Sequence, residues 1–119
     1  MGRVELAEGE LNAAGYDVEL CLDVVIPGDE EALRTAFARA LTRATAAGDA
    51  RRFALAPDAK GLGLPAQRCA EILIESARAA VAGGELEILF VLSGEPTYRI
   101  YEAVYDAARI AEQMRRLRG

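Results

Sequence analysis

The chain has 119 residues, of which 52% are hydrophobic and 28% are charged, a composition typical of one globular domain. Its net charge of −5 argues against nucleic acid or an anionic membrane as the main partner. No apolar run is long enough to cross a membrane and the amino terminus lacks a signal-peptide core, so we expect a cytoplasmic protein.

The side chains available for chemistry are few, because the chain contains no histidine. This excludes serine–histidine and cysteine–histidine nucleophile pairs and most zinc sites. We therefore expect a protein that is not an enzyme, with no catalytic residue, no bound metal and no cofactor. Cys21 and Cys69 lie within apolar patterns, which predicts buried and reduced thiols.

Two alternating segments open the chain. Residues 3–10 form the weaker one, and the second places Val18, Leu20, Leu22, Val24 and Ile26 on one side. A period of two predicts strands with one buried face. The connection around Gly15 predicts that these strands pair antiparallel.

The rest of the chain alternates helices and strands. Asp29 is placed to cap a first helix that ends near Gly48, and Pro65 stands where the first turn of a second helix is expected. The predicted elements are a helix from 30 to about 47, a strand over 52–56, a helix over 65–82, a strand over 86–92 and a helix from about 97 to 117. We predict an α/β domain with three helices and a four-stranded mixed, mostly parallel sheet.

The loop between the third strand and the second helix is the candidate ligand site. Its glycines let the backbone approach a ligand closely, Lys60 adds positive charge, and the helix start adds its dipole. An ordinary turn with flexible glycines is the competing interpretation. The candidate binding residues here are Asp58, Ala59, Lys60, Gly61, Leu62 and Gly63.

Several segments occur in the order of one known family. These are residues 18–25, 30–41, 53–55 with 61–65, and 89–92 with 98–103. Together they resemble the C-terminal half of a macro domain, the α/β module that binds ADP-ribose. The resemblance implies a phosphate and ribose site at the loop 58–63 and places Ser93 where the family often has an aromatic residue on adenine.

The chain also departs from that family. The family's first half is missing, with its asparagine run and its first glycine-rich loop, so we interpret residues 1–119 as a single truncated and divergent macro-like domain. One missing family strand separates the counterparts of strands two and three, and its loss predicts the sheet order 1-2-3-4. Another missing strand would leave the edge of strand four open.

An open edge and an incompletely covered sheet face both predict association. We expect a homodimer through one of them, or a protein partner, and we expect the last helix or another subunit to cover the second face. Tyr98, Tyr101 and Tyr105 recur at helical spacing, which predicts a packing stripe.

The sequence therefore predicts a non-enzymatic macro-like module that acts by self-association or by binding a protein partner. The alternative is binding of ADP-ribose or a nucleotide phosphate at the loop between strand three and helix two. ADP-ribosyl hydrolase activity is not expected, because the residues usually held responsible are missing.

Overall fold

The computed structural model describes residues 2–11, 15–23, 26–46, 48–57 and 62–118. These residues form four strands and three helices. In chain order they are β1 (Arg3–Glu8), β2 (Val18–Glu19), α1 (Glu30–Thr45), β3 (Arg52–Leu55), α2 (Ala66–Ala82), β4 (Glu87–Leu92) and α3 (Glu95–Arg118). The predicted α/β class is confirmed.

The sheet is parallel throughout and has the order β1-β4-β3-β2. The predicted antiparallel pairing of β1 with β2 is wrong, and so is the order 1-2-3-4. Instead β1 pairs with β4 along its whole length, from Arg3 opposite Glu87 to Glu8 opposite Leu92. The edge of β4 that we expected to be open is therefore occupied by β1. The reason for predicting a dimer through that edge no longer holds.

The second strand is shorter than its alternating pattern predicts. It covers only Val18–Glu19, although Leu20 N–H extends the ladder with a 2.7 Å hydrogen bond to the Ala54 carbonyl. Leu20 is buried, whereas Ile26 is 57% exposed because it lies in the turn that leads to α1. Val24 lies outside the described residues.

The helix α1 begins where the sequence predicts. The Asp29 carboxylate accepts a 3.1 Å hydrogen bond from the Ala32 N–H, and Glu30 and Glu31 occupy the first turn. A carboxylate at this position satisfies a free N–H group and interacts favourably with the helix dipole. The cap therefore fixes the point at which the chain turns from β2 into α1.

The three helices pack on the same face of the sheet. One core cluster contains Leu33 of α1, Leu73 of α2 and Tyr101 of α3 together with the alternate strand residues Phe53 and Phe90. Tyr101 is 2% exposed, and its ring centroid lies 5.8 Å from that of Phe90. The tyrosine stripe thus packs as predicted, but α3 does not cover the second face of the sheet.

The second face is covered by the connection between β1 and β2. Leu11 and Tyr16 pack against Ala54, Leu89 and Val91, each of which is at most 3% exposed. β4 is one of the two inner strands, since it pairs with β1 and β3, and it is buried on both faces. This explains its unbroken run of apolar residues.

A closed set of ion pairs joins three strands at the amino end of the second face. Arg3 contacts Glu5 (2.6 Å) and Glu87 (2.9 Å), and Arg52 contacts the same two carboxylates at 3.0 and 3.1 Å. Arg52 Nε also donates to the Gly15 carbonyl at 2.5 Å. The network holds β1 beside β4 and fixes the end of the connection, just before β2.

The two cysteines differ in their surroundings. Cys69 is buried in α2, as predicted, and burial raises the pKa of its thiol. Cys21 is exposed, so the prediction of a buried thiol is wrong for it. It follows the short edge strand β2 on the side away from the helices and does not belong to the cluster that Leu11 and Tyr16 cover.

The Asp17 carboxylate gives the fold a predictable pH dependence. It accepts hydrogen bonds from the backbone N–H groups of Arg51 (2.9 Å) and Arg52 (3.1 Å), which hold its pKa below the ordinary value of 3.8. Because the folded-state pKa is lowered, the stabilisation is present above pH 3.8 and is lost as the pH falls through the folded-state value. Asp17→Asn should lower the urea midpoint at pH 7 but have little effect at pH 2.

The exposed Asp49 provides the matched control. Asp49→Asn should leave the urea midpoint of the wild-type protein unchanged at both pH values. If Asp17→Asn lowered the urea midpoint equally at pH 7 and pH 2, the result would contradict a role for the ionised carboxylate.

Candidate functional site

The described parts of the predicted ligand site lie at the carboxyl ends of two neighbouring strands. Leu62 and Gly63 follow β3 and lead into α2, and Ser93 directly follows β4. The carboxyl edge of a parallel sheet is where ligands of open α/β proteins bind. Asp58, Ala59, Lys60 and Gly61, which were predicted to form the centre of the site, lie outside the described residues.

Leu62 and Gly63 have structural roles in this loop. The Leu62 side chain is 7% exposed and belongs to the main core, while its carbonyl accepts a 2.8 Å hydrogen bond from the Gly28 N–H. Gly63 has a φ of +71°, and a Cβ at this position would lie 2.9 Å from the Gly28 nitrogen. Glycine is required here because two backbones pack together, which the sequence alone did not indicate.

The start of α2 offers backbone donors but no free positive side chain among residues 62–70. Pro65 occupies the cap position without a side-chain hydrogen bond, and the first turn contains no acidic residue. Arg68 makes two 2.7 Å hydrogen bonds to the Glu30 carboxylate and a 3.1 Å hydrogen bond to Glu71. The guanidinium lowers the pKa of Glu30, and the carboxylates raise that of Arg68.

Ser93 is exposed at the other end of the candidate site. The next residue, Gly94, has a φ of +96° and accepts a hydrogen bond from the Tyr98 N–H at 3.1 Å. Glu95 stands in the first turn of α3 and pairs with Arg99 at 3.0 Å. A carboxylate at that position disfavours an anion beside Ser93.

A groove of about 1150 Å³ runs between α2 and α3, and sequence reasoning did not predict it. Arg78 lines it, pairs with Glu112 and lies 5.7 Å from the centroid of the Tyr105 ring. The wall on α3 is formed by the small residues Ala103, Ala107 and Ala111. Arg78 and Glu112 are thus engaged with each other.

The outer face of α3 is apolar and exposed. Ile110 and Met114 are each 52% exposed and Leu117 is 88% exposed. Together with the exposed Ala103 and Ala107 they form a stripe opposite the face that carries Tyr101. The spacing of these five residues, alternately four and three, is the signal that could have revealed the stripe, because it keeps side chains on one side of a helix.

Within the described residues, no group of three or more histidine, cysteine, aspartate or glutamate side chains is placed to hold a metal ion. The helices α1–α3 include none that is long and apolar enough to cross a membrane. No protein-family model matches the chain, and no curated protein matches its sequence. The resemblance to macro domains therefore rests on the segments quoted above.

The approach between Gly28 and Gly63 can be tested by substitution. Gly63→Ala should destabilise the fold by roughly 1–3 kcal/mol, because alanine is strained at positive φ and its Cβ would contact the Gly28 backbone. Gly83→Ala is the control, since its Cβ meets no atom within 4 Å and its φ is −100°. Urea unfolding that gives equal midpoints for the two variants would contradict this role for Gly63.

Proposed function

We propose that this protein is a non-enzymatic, macro-like module that acts by association, and that the outer face of α3 is its contact surface. The observation that carries the proposal is the exposed stripe of Ile110, Met114 and Leu117. Contiguous exposed apolar surface commonly marks a site of interaction with another protein. Self-association is the form of the proposal that we test, and a different protein partner is the alternative occupant.

The chemistry of the chain supports a binding role over catalysis. The sequence contains no histidine, so the usual base at neutral pH is missing. Glu112 in the groove between α2 and α3, and Glu5 and Glu87 of the ion-pair network on the sheet, are engaged by arginine. The free thiol of Cys21 is exposed, which fits the reducing cytoplasm that we propose as the location.

Sedimentation analysis of matched isoleucine variants tests the proposal. The wild-type chain should sediment above its monomer mass of 12.7 kDa at roughly tens of micromolar, and the mass should fall on dilution. Ile110→Glu should give a monomer, because the charge would be buried in the contact. Ile26→Glu should associate like the wild type, since Ile26 is equally exposed but lies in the turn before α1.

A wild-type chain that remains monomeric at several hundred micromolar, about the weak limit for a specific dimer, would refute self-association. If Ile110→Glu and Ile26→Glu both dissociated the dimer to the same extent, the contact surface would lie elsewhere. Circular dichroism of both variants confirms that each is folded.

Binding of ADP-ribose or a related nucleotide phosphate is the second candidate function. The observation in its favour is the uncapped start of α2, which has no acid in its first turn and lies at the carboxyl edge of the sheet. Free N–H groups at a helix start attract phosphate. Leu62 and Gly63 are engaged in packing, so ADP-ribose binding has less support than association.

A single acidic substitution tests the second candidate. Gln67→Glu adds a negative charge to the first turn of α2, which favours the helix but repels an anion. If ADP-ribose binds there, calorimetry should detect heat with the wild-type protein and with Ala38→Glu, an equally charged variant on the exposed side of α1. The Gln67→Glu variant should give no heat of binding. The absence of heat from the wild type at roughly millimolar ADP-ribose would reject this candidate.

A further inference from the structure

We propose that the occupant of the outer face of α3 is a second copy of this chain whose α3 runs antiparallel, with the two-fold axis midway between Ala107 and Ile110. This inference rests on the proposed self-association and adds the partner's orientation and register. Its support comes from the spacing, the size and the charge of the residues along α3.

The apolar residues of the outer face follow the spacing of a two-helix seam. These are Ala103, Ala107, Ile110, Met114 and Leu117, which are separated alternately by four and three residues. This is the pattern of the inward positions in paired helices. It extends from Ala103 to Leu117, about two heptads, and includes the three exposed large apolar residues of α3.

The sizes of these residues match in the antiparallel register. Ala107 of one copy faces Ile110 of the other, and Ala103 faces Met114. Each small residue then packs against a large one, so the facing side chains interdigitate without strain. Parallel pairing would place alanine opposite alanine and methionine opposite methionine, leaving gaps in one layer and crowding the next.

The charges of α3 also favour the antiparallel orientation. Its first half carries Glu95, Glu102 and Asp106 against one arginine. Its second half carries four arginines against one glutamate, namely Arg109, Arg115, Arg116, Arg118 and Glu112. Antiparallel helices place the acidic half of each copy along the basic half of the other and oppose their dipoles, whereas parallel helices align like charges.

Disulfide cross-linking distinguishes the orientations. Ala103→Cys and Met114→Cys are each made in a Cys21→Ser chain, leaving only the buried Cys69 besides the new thiol. In the antiparallel dimer, residue 103 lies opposite residue 114 and about 16 Å along the helix from its own counterpart. Oxidation of the mixed variants should therefore give a covalent dimer, and either variant alone should remain uncross-linked.

Charge substitutions at Gln113 provide an independent readout. Gln113 is exposed beside the seam, and in the antiparallel register it lies alongside Asp106 of the second copy, whereas in a parallel pair it lies alongside Arg118. Gln113→Arg should lower the dimer dissociation constant and Gln113→Glu should raise it, each by roughly twofold to tenfold. Parallel pairing predicts the opposite signs.

The outcomes separate this inference from the function on which it rests. Cross-linking of each single variant with itself, or reversed signs at Gln113, would overturn the antiparallel orientation while leaving self-association intact. If the protein dimerises but neither the mixed variants nor the single variants cross-link, the contact lies on another face. That result would also overturn the inference. A wild-type monomer would instead refute the proposed function.

Discussion

The structure depends on the burial of β4 on both of its faces. Ile88 and Phe90 point towards the helices, and Leu89 and Val91 point to the other side, so each face of the sheet needs a cover. The helices supply one cover, and Leu11 and Tyr16 supply the other. β1 and β3 satisfy the backbone of β4 along its two edges. A strand that is buried in this way must be an inner strand, and the remaining elements are arranged around it.

The arrangement of helices on one face has a consequence for α3. Tyr101 and its neighbours anchor the inner side of that helix to the sheet and to α2. Its outer side faces away from the sheet. Apolar residues persist there, at Ile110, Met114 and Leu117. Packing in the fold thus explains the apolar residues on the inner side of α3. The apolar residues on its outer side are the basis of the association that we propose.

The sequence predicted the elements better than their pairing. Alternation and caps located the four strands and three helices, because burial and capping are local properties of the chain. The partner of β1 could not be predicted in this way, since alternation identifies a buried face without identifying a neighbour. Pairing with β4 depends on contacts distant in sequence, such as those of Arg3 and Arg52 with Glu87. Gly63 shows the same limit, because its close neighbour belongs to the turn before α1.

The pairing of the first strand with the last sets the order in which the fold can form. Arg3 and Glu87 are 84 residues apart, so β1 finds its place only after most of the chain has left the ribosome. Closing so long a loop is costly in entropy, and contacts of this kind slow folding. β2, α1, β3 and α2 can assemble earlier from neighbouring segments. Until β4 and α3 are synthesised, Val4 and Leu6 lack neighbours that they have in the native protein, and exposed apolar side chains of this kind favour aggregation of a nascent chain.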